Sequence, residues 1–165
     1  MMAYSPKPGD IGIIRSKGIP ARLIQFGTLS RWNHVFIYVG NNRIIEANPK
    51  GVQLNLIGSY YGPEIVWNKH QPWINEDVQR KQIVAGAFAA LNEPYNWTNI
   101  LRFVLRSLGL GIFANTKLMK YLAKKDGYIC SELAEELYTK AGNSFTHQEP
   151  GATSPGDIIM AVIYQ

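Results

Sequence analysis

The sequence predicts an α+β fold in which a small antiparallel sheet packs against helices. Short apolar segments with strand-like alternation, separated by Gly, Pro and Asn, fall within the first 67 residues of the 165-residue chain. Apolar residues at helical spacing follow between residues 76 and 141. The length fits one domain with a sizeable core, and no repeat or linker divides residues 1–165, so a single domain is expected.

The predicted strands lie in the first part of the chain. The segment IGIIR follows the turn residues Pro8-Gly9-Asp10, and residues 34–47 have the pattern of a β-hairpin with a Gly-Asn-Asn turn. Strict alternation over residues 52–56 predicts the next strand, and residues 64–67 suit another. A short helix is expected at residues 19–26, in which a proline takes an early position.

The predicted helices lie in the second part of the chain. Apolar spacing and flanking caps or breakers place them over residues 76–91, with Asn75 as N-cap, then 98–113, 116–125 and 128–141, with Gly142 as the stop. The chain then reaches a second Pro-Gly-Asp turn and the apolar run IIMAVIY, for which a closing strand is predicted.

Charge is distributed unevenly along the sequence. Residues 1–125 carry 16 Lys or Arg against 6 Asp or Glu, whereas residues 126–165 carry 1 against 6. The basic part suits peripheral contact with an anionic membrane or wall polymer, or serves only solubility. Nucleic acid is not an expected partner, because no binding motif and no dense Lys/Arg run is present. No secretory signal or membrane-spanning segment is recognised, which predicts cytoplasmic synthesis and leaves the site of action open.

Cys130 is the single cysteine, and it falls at the predicted start of the helix at 128–141. A helix N-terminus favours a thiolate, which is the form that acts as a nucleophile. The alternative is a small apolar residue that fills the core. No metal site and no cofactor are predicted, since one cysteine and three histidines lack ligand spacing and His70 and His147 lie in polar loops.

His34 begins the first strand of the hairpin, and Glu46 ends the second. A histidine close to Cys130 could act as general base, and Glu46, folded back beside it, could fix the imidazole orientation. Asn48 shares the side-chain parity of Glu46 and is the alternative orienting residue. The alternative is that His34 is a half-buried strand histidine without a catalytic role and that Glu46 is a carboxylate at the protein surface.

Five segments in this order resemble the circularly permuted NlpC-type branch of the papain-like cysteine hydrolases, the YiiX/YebB-like amidase group. Lecithin:retinol acyltransferase is a more distant relative of that group. The segments are PGDIGII, RLIQFGTLSRWNHVFIYVG, RIIEANPKGV, EPYNWTNIL and YICSELAEELYTKAG with SPGDI, which together run from residue 8 to about 160. The order is the most specific feature, because the histidine precedes the cysteine only in the permuted branch.

The resemblance implies a permuted papain-like fold and an acyl-enzyme on Cys130, with His34 as base and Glu46 as the orienting residue. Backbone N–H groups at the start of the cysteine helix would stabilise the oxyanion. Tyr95, in the PYNW stretch, would be a further donor, or it anchors the start of a helix. The chain departs from the family at Asn33 and at Phe36, which could narrow the cleft.

Two classes of function remain open from the sequence. The first is an enzyme acting on an amide or acyl bond of a cell-wall peptide or of a lipid. The second is a peptide- or lipid-binding module that kept the fold and lost turnover. Residues 98–126 carry six basic residues and are expected to form a lid or a substrate-determining insertion. The alternative is an ordinary helical hairpin with snorkelling lysines.

Overall fold

One antiparallel sheet of five strands forms the centre of the fold, and it lies mainly in the first part of the chain. The computed structural model describes residues 4–16, 22, 25–26, 30–60, 64–69, 71–114, 116–118, 127–147 and 153–164. The strands are β1 (Ile11–Ile14), β2 (His34–Gly40), β3 (Arg43–Asn48), β4 (Gly51–Leu56) and β5 (Val66–Trp67), in the order β4-β3-β2-β1-β5. The predicted α+β class is therefore confirmed.

The helices follow the sheet in the sequence. They are α1 (Glu76–Ala89), α2 (Trp97–Ser107), α3 (Gly111–Ala114), α4 (Cys130–Lys140) and α5 (Pro155–Tyr164), and a short 3-10 helix, Ile57–Tyr60, precedes β5. Asn75 caps α1, because its side chain accepts a hydrogen bond from the N–H of Val78. Gly142 ends α4 in the left-handed region with φ of 80°. In the described part of the chain, every helix is too short or too polar to cross a membrane.

The last element is a helix, so the predicted closing strand over IIMAVIY is wrong. The segment is apolar on all sides and rich in β-branched residues, which gives it the composition of a buried strand. The capping residues decide otherwise. Ser154 and Asp157 form reciprocal hydrogen bonds across the first turn of α5, at 2.8 Å and 3.2 Å, and Pro155 takes the first helical position.

Some predicted features lie outside the described residues. The short helix at 19–26 and the helix at 116–125 fall mostly outside them, and His70 falls wholly outside.

The core is divided between the two faces of the sheet. Side chains at odd positions of β2 and β3, such as Val35 and Ile45, pack in a large cluster with α1 and α4. Even positions face a smaller cluster that includes Ile14, Phe36 and Ile44. His34 and Glu46 share this even parity, and His34 opens β2 at the end where α4 begins.

The Pro8-Gly9-Asp10 turn ties the sheet to α1. Asp10 is fully buried, and its carboxylate lies 2.7 Å from the guanidinium of Arg80 on α1. The same carboxylate accepts hydrogen bonds from the hydroxyl of Tyr4 and the N–H of Lys7. This motif of the first strand therefore has a structural role between two layers of the fold.

Candidate active site

Three polar side chains from three elements meet at the end of the sheet. His34 is the first residue of β2, Glu46 lies on β3, and Cys130 is the first residue of α4. Their exposed fractions are 7%, 3% and 2%, respectively. The β2–β3 hairpin accounts for the approach of Glu46 to His34, because residues 37 and 45 are paired and both even-numbered side chains leave the same face. The structure thus brings together the three residues predicted as a group.

The imidazole of His34 lies between the other two side chains. Its Nε2 atom is 2.5 Å from Oε2 of Glu46. The side chain of Cys130 lies close enough to the same ring to raise the pKa of His34. Since Nε2 is engaged by the carboxylate, the remaining ring nitrogen, Nδ1, is the one available to the thiol. Glu46 therefore fixes which nitrogen faces Cys130.

The electrostatics of the site favour a charged histidine. Burial alone would lower the pKa of His34, but its hydrogen bonds to Cys130 and Glu46, and the charges of these groups, raise the pKa to about 10. Burial likewise opposes ionisation of Glu46, yet the hydrogen bond and charge of His34, with hydrogen bonds from Tyr60 and Asn55, hold the pKa of Glu46 below its usual range. A buried imidazolium is therefore stabilised against the loss of its hydration.

Two further residues hold Glu46, and sequence reasoning missed both. The Tyr60 hydroxyl donates to Oε2 of Glu46, and the Asn55 amide donates to Oε1 at 2.7 Å. Burial, followed by the charge of Glu46, raises the pKa of Tyr60, so the phenol stays protonated as a donor. The available signal was Asn55 itself, a polar residue within the alternating strand β4.

Phe36 and Asn48, which were predicted at the site, make other contacts. Phe36 has no solvent exposure and stacks on the ring of Tyr60, with centroids 5.6 Å apart and an interplanar angle of 7°. It supports Tyr60 from within the smaller core cluster. Asn48 lies at the turn from β3 to β4, where its side-chain oxygen accepts a hydrogen bond from the N–H of Lys50 at 2.9 Å.

Tyr95 lies beside the start of α4. Its backbone pairs with that of Tyr128, two residues before Cys130. Burial, followed by the charges of Cys130 and Glu132, raises the pKa of Tyr95. Gly127 makes this approach possible, because a Cβ atom there would lie 2.0 Å from the carbonyl oxygen of Pro94.

Glu132 is a buried carboxyl group that the sequence analysis did not single out. Its Oε2 atom accepts a hydrogen bond from the N–H of Ile129 at 2.9 Å, and the amide of Asn99 on α2 donates to its Oε1 atom. Burial raises the pKa of Glu132 to about 7, against the lowering effects of these hydrogen bonds and of Arg102. Glu132 therefore connects α2 to the first turn of α4, where Cys130 lies.

The other described histidine takes no part in the cluster. His147 is exposed and adopts a positive φ of 53° in the loop after α4. Over the described ranges, no group of three or more His, Cys, Asp or Glu side chains is arranged to hold a metal ion.

The fold and the cluster define an α+β protein with a buried Cys–His–Glu group, and a comparison with solved structures supports the α+β fold. No protein-family model matches the chain. The chain is 26% identical over 172 aligned positions to the probable lipoprotein peptidase YaeF of Escherichia coli strain K12, across 93% of this chain. It spans 62% of the length of that relative.

A solved structure shares the fold. The crystal structure of the metalloprotein YiiX from Escherichia coli O157:H7 aligns with a TM-score of 0.61 at 18% identity, over 88% of this chain and 72% of that chain. At 18% identity the likeness is one of fold, and the description as a metalloprotein applies to YiiX.

Proposed function

We propose that the protein is a papain-like cysteine hydrolase, of the permuted NlpC type, which cleaves an amide or acyl bond through an acyl-enzyme on Cys130. The observation that carries this proposal is the buried His34 imidazole, which is hydrogen-bonded to Glu46 and interacts with Cys130 at the start of α4. A nucleophile, a base and an orienting carboxylate in this order are the parts that covalent acyl transfer needs. The name of the relative YaeF, a probable peptidase, supports the same class of reaction.

In the proposed reaction the Cys130 sulfur attacks the substrate carbonyl carbon, and a C–S bond forms as the carbonyl oxygen takes the negative charge. The His34 imidazolium then gives its proton to the leaving nitrogen or oxygen, and the scissile bond breaks. Water enters next and transfers a proton to His34 as its oxygen attacks the thioester. Collapse of this second intermediate releases the acid and the Cys130 thiolate. Glu46 holds the imidazole in one orientation throughout.

The N-terminus of α4 supplies a donor for the negative oxygen. The first bond within this helix runs from the N–H of Leu133 to the carbonyl of Ile129, so the N–H of Cys130 precedes it. This N–H and the positive end of the helix suit an oxyanion beside the sulfur. The Tyr95 hydroxyl is the proposed second donor, because the backbone of Tyr95 pairs with that of Tyr128, two residues before Cys130.

The substrate is proposed to present a carbonyl group in a peptide or in a lipid, with cleavage of a cell-wall peptide and transfer or hydrolysis of a lipid acyl group as the two forms. The relative named as a peptidase favours the peptide. The single domain proposed for residues 1–165 would contain every group that the reaction uses.

The rate of Cys130 alkylation against pH tests the proposed pair, and the single cysteine makes the readout specific. We expect a small haloacetamide to react with the wild type at pH 6 within about tenfold of its rate at pH 9. A thiol of ordinary pKa would lose roughly 200-fold over this range. His34→Ala should show that steep loss, because the imidazolium that stabilises the thiolate is gone, whereas His147→Ala, at an exposed histidine, should match the wild type.

A binding module on the same fold makes the opposite prediction. Cys130 would then resist alkylation in the folded protein at every pH, and Cys130→Ser would leave peptide or lipid binding unchanged with no turnover to lose. Resistance of Cys130 to alkylation at every pH in the wild type, with folding verified by circular dichroism, would overturn the proposed hydrolase.

A further inference from the structure

We infer that α2, α3 and residues 116–118 form a surface that docks on an anionic phospholipid bilayer. This α2–α3 face carries large apolar side chains that are open to solvent. Ile112 is 86% exposed and Phe113 is 62% exposed. The other exposed apolar side chains of this face are Trp97, Leu101, Leu108, Leu110 and Leu118. Several large apolar side chains exposed on neighbouring elements mark an interaction site.

The local architecture turns these side chains outward. On α2, Ile100 and Phe103 are buried in the core, whereas Trp97 and Leu101 recur at a spacing of four on another side. The α3 turn is held against α2 by the Arg102 side chain, whose Nε atom donates to the carbonyl of Ala114 at 3.1 Å. Ala114 is fully buried, so α3 is anchored through its end and presents Ile112 and Phe113 to the outside.

The positive charge of this region favours an anionic lipid bilayer as the binding partner. Residues 97–125 contain six basic and no acidic residues. On the described part, Arg106 is exposed on α2 and Lys117 is exposed beside Leu118, whereas Arg102 is half-buried and hydrogen-bonded to α3. Basic side chains bordering exposed apolar ones are the composition of an interfacial helix that inserts into the headgroup region of anionic lipid. A polyanion without acyl chains would bind the charges and leave Ile112 and Phe113 in water.

The face begins next to the candidate active site. Trp97, at its edge, makes a T-shaped contact with the ring of Tyr95, with centroids 5.1 Å apart. The backbone of Tyr95 in turn pairs with that of Tyr128, two residues before Cys130. A bilayer seated on the α2–α3 face would therefore lie close to the proposed nucleophile. The docking itself needs no thiol chemistry, so it stands independently of the proposed reaction.

Flotation with phospholipid vesicles tests this inference on the full chain. We expect the protein to float with vesicles of 30% phosphatidylglycerol in phosphatidylcholine, with at least about tenfold higher partitioning than with pure phosphatidylcholine. Raising the salt from 0.05 to 0.5 M should weaken the binding severalfold, because the attraction between Lys or Arg and the lipid headgroups is screened.

Paired variants separate the apolar and basic contributions. Ile112→Ser with Phe113→Ser should lower partitioning at least about tenfold, because both side chains are proposed to enter the headgroup region. Ile74→Ser is the matched control, since Ile74 is 88% exposed and lies outside the face, and it should bind as the wild type does. Lys117→Glu should weaken binding severalfold, whereas Lys81→Glu, at an exposed lysine of α1, should weaken it less.

Three results would overturn the inference. The first is equal partitioning on the two vesicle types or none on either. The second is salt-sensitive binding that the Ile112/Phe113 double variant retains, which indicates a site for a polyanion. The third is a concentration-dependent dimer, found by sedimentation and abolished by the same double variant, with no vesicle binding, which assigns the face to a second copy.

The Cys130→Ala variant distinguishes this inference from the proposed function. It should float with anionic vesicles as the wild type does, although it can form no acyl-enzyme. A steep pH dependence of Cys130 alkylation in the wild type, like that of an ordinary thiol, together with retained flotation of Cys130→Ala, would remove the hydrolase and keep the membrane surface. The reverse pair of results would keep the hydrolase and remove the surface.

Discussion

Glu46 receives its hydrogen bonds from three separate parts of the chain. His34 comes from β2, Asn55 from β4 and Tyr60 from the 3-10 helix that follows. A buried carboxylate is costly unless its lone pairs are satisfied, and here the donors also prevent it from rotating away from the imidazole. At the scale of single residues, hydrogen bonds to both carboxylate oxygens therefore fix Glu46 in place, and Glu46 in turn orients the imidazole of His34.

Tyr60→Phe tests this positioning role of the phenol. We expect alkylation of Cys130 at pH 6 to slow about threefold to tenfold, because Glu46 loses a donor and its hold on His34 loosens. The free energy of unfolding should fall by about 1 kcal/mol in urea titrations, the usual worth of one hydrogen bond. A purely structural role would lower stability and leave the pH dependence of alkylation unchanged.

Tyr38→Phe provides the control for that variant. Its hydroxyl lies 3.4 Å from the N–H of Asn42, away from Glu46, so its removal should leave the alkylation profile as it is in the wild type. Equal profiles for both variants would contradict the positioning role.

The residues of the site differ in how far the sequence reveals them. His34 and Glu46 could be placed together because a hairpin with known strand parity fixes which side chains share a face. The helix signal placed Cys130 at an N-terminus. Tyr60 could not be found in this way. It lies in a four-residue 3-10 helix, which is too short for a sequence pattern to predict which way its side chains face.

At the scale of elements, α5 illustrates a conflict between composition and capping. Its run of Ile and Val is typical of a buried strand, while Ser154 and Asp157 are the two halves of a helix-capping pair. The local hydrogen bonds prevail, because the N-terminal N–H groups of a helix must find acceptors and these side chains supply them. The β2–β3 hairpin and α4 were predicted correctly because composition, spacing and turn residues agreed there.

Ser154→Ala measures how much this cap contributes. We expect the free energy of unfolding to fall by about 1 kcal/mol, the typical cost of losing a serine cap. Ser59→Ala, at an exposed serine of the 3-10 helix, serves as the control and should change stability by less than about 0.5 kcal/mol. An unchanged stability in Ser154→Ala would count against a helix that begins at this residue.

At the scale of the whole molecule, two contacts hold the layers in register. Asp10 and Arg80 join β1 to α1, and Glu132 joins the first turn of α4 to α2. Both are buried carboxylates whose partners lie on another element. The sequence indicated the Pro8-Gly9-Asp10 turn as a motif, but not its partner, because contacts between distant segments leave no periodic signal in a single sequence.

Asp10→Asn tests the joint between the sheet and α1. We expect a loss of about 2 kcal/mol in the free energy of unfolding, because the guanidinium of Arg80 keeps its contact with Glu76 and loses a buried counter-charge. Asp77→Asn, an exposed acid on the same helix, should cost less than about 0.5 kcal/mol. Similar losses of unfolding free energy for the two variants in urea titrations would show that the buried Asp10–Arg80 pair contributes little to stability.

The chain order of the proposed pair has a consequence for how the protein is made. A ribosome adds His34 96 residues before Cys130. The two side chains meet only after β2 has joined the sheet and α4 has packed against it, so contacts between distant segments must form first. On the proposed mechanism a nascent or partly denatured chain therefore carries an ordinary thiol and no base beside it. Cys130 therefore becomes a strong nucleophile only when folding is complete. An incompletely folded chain does not expose an activated thiol to other proteins.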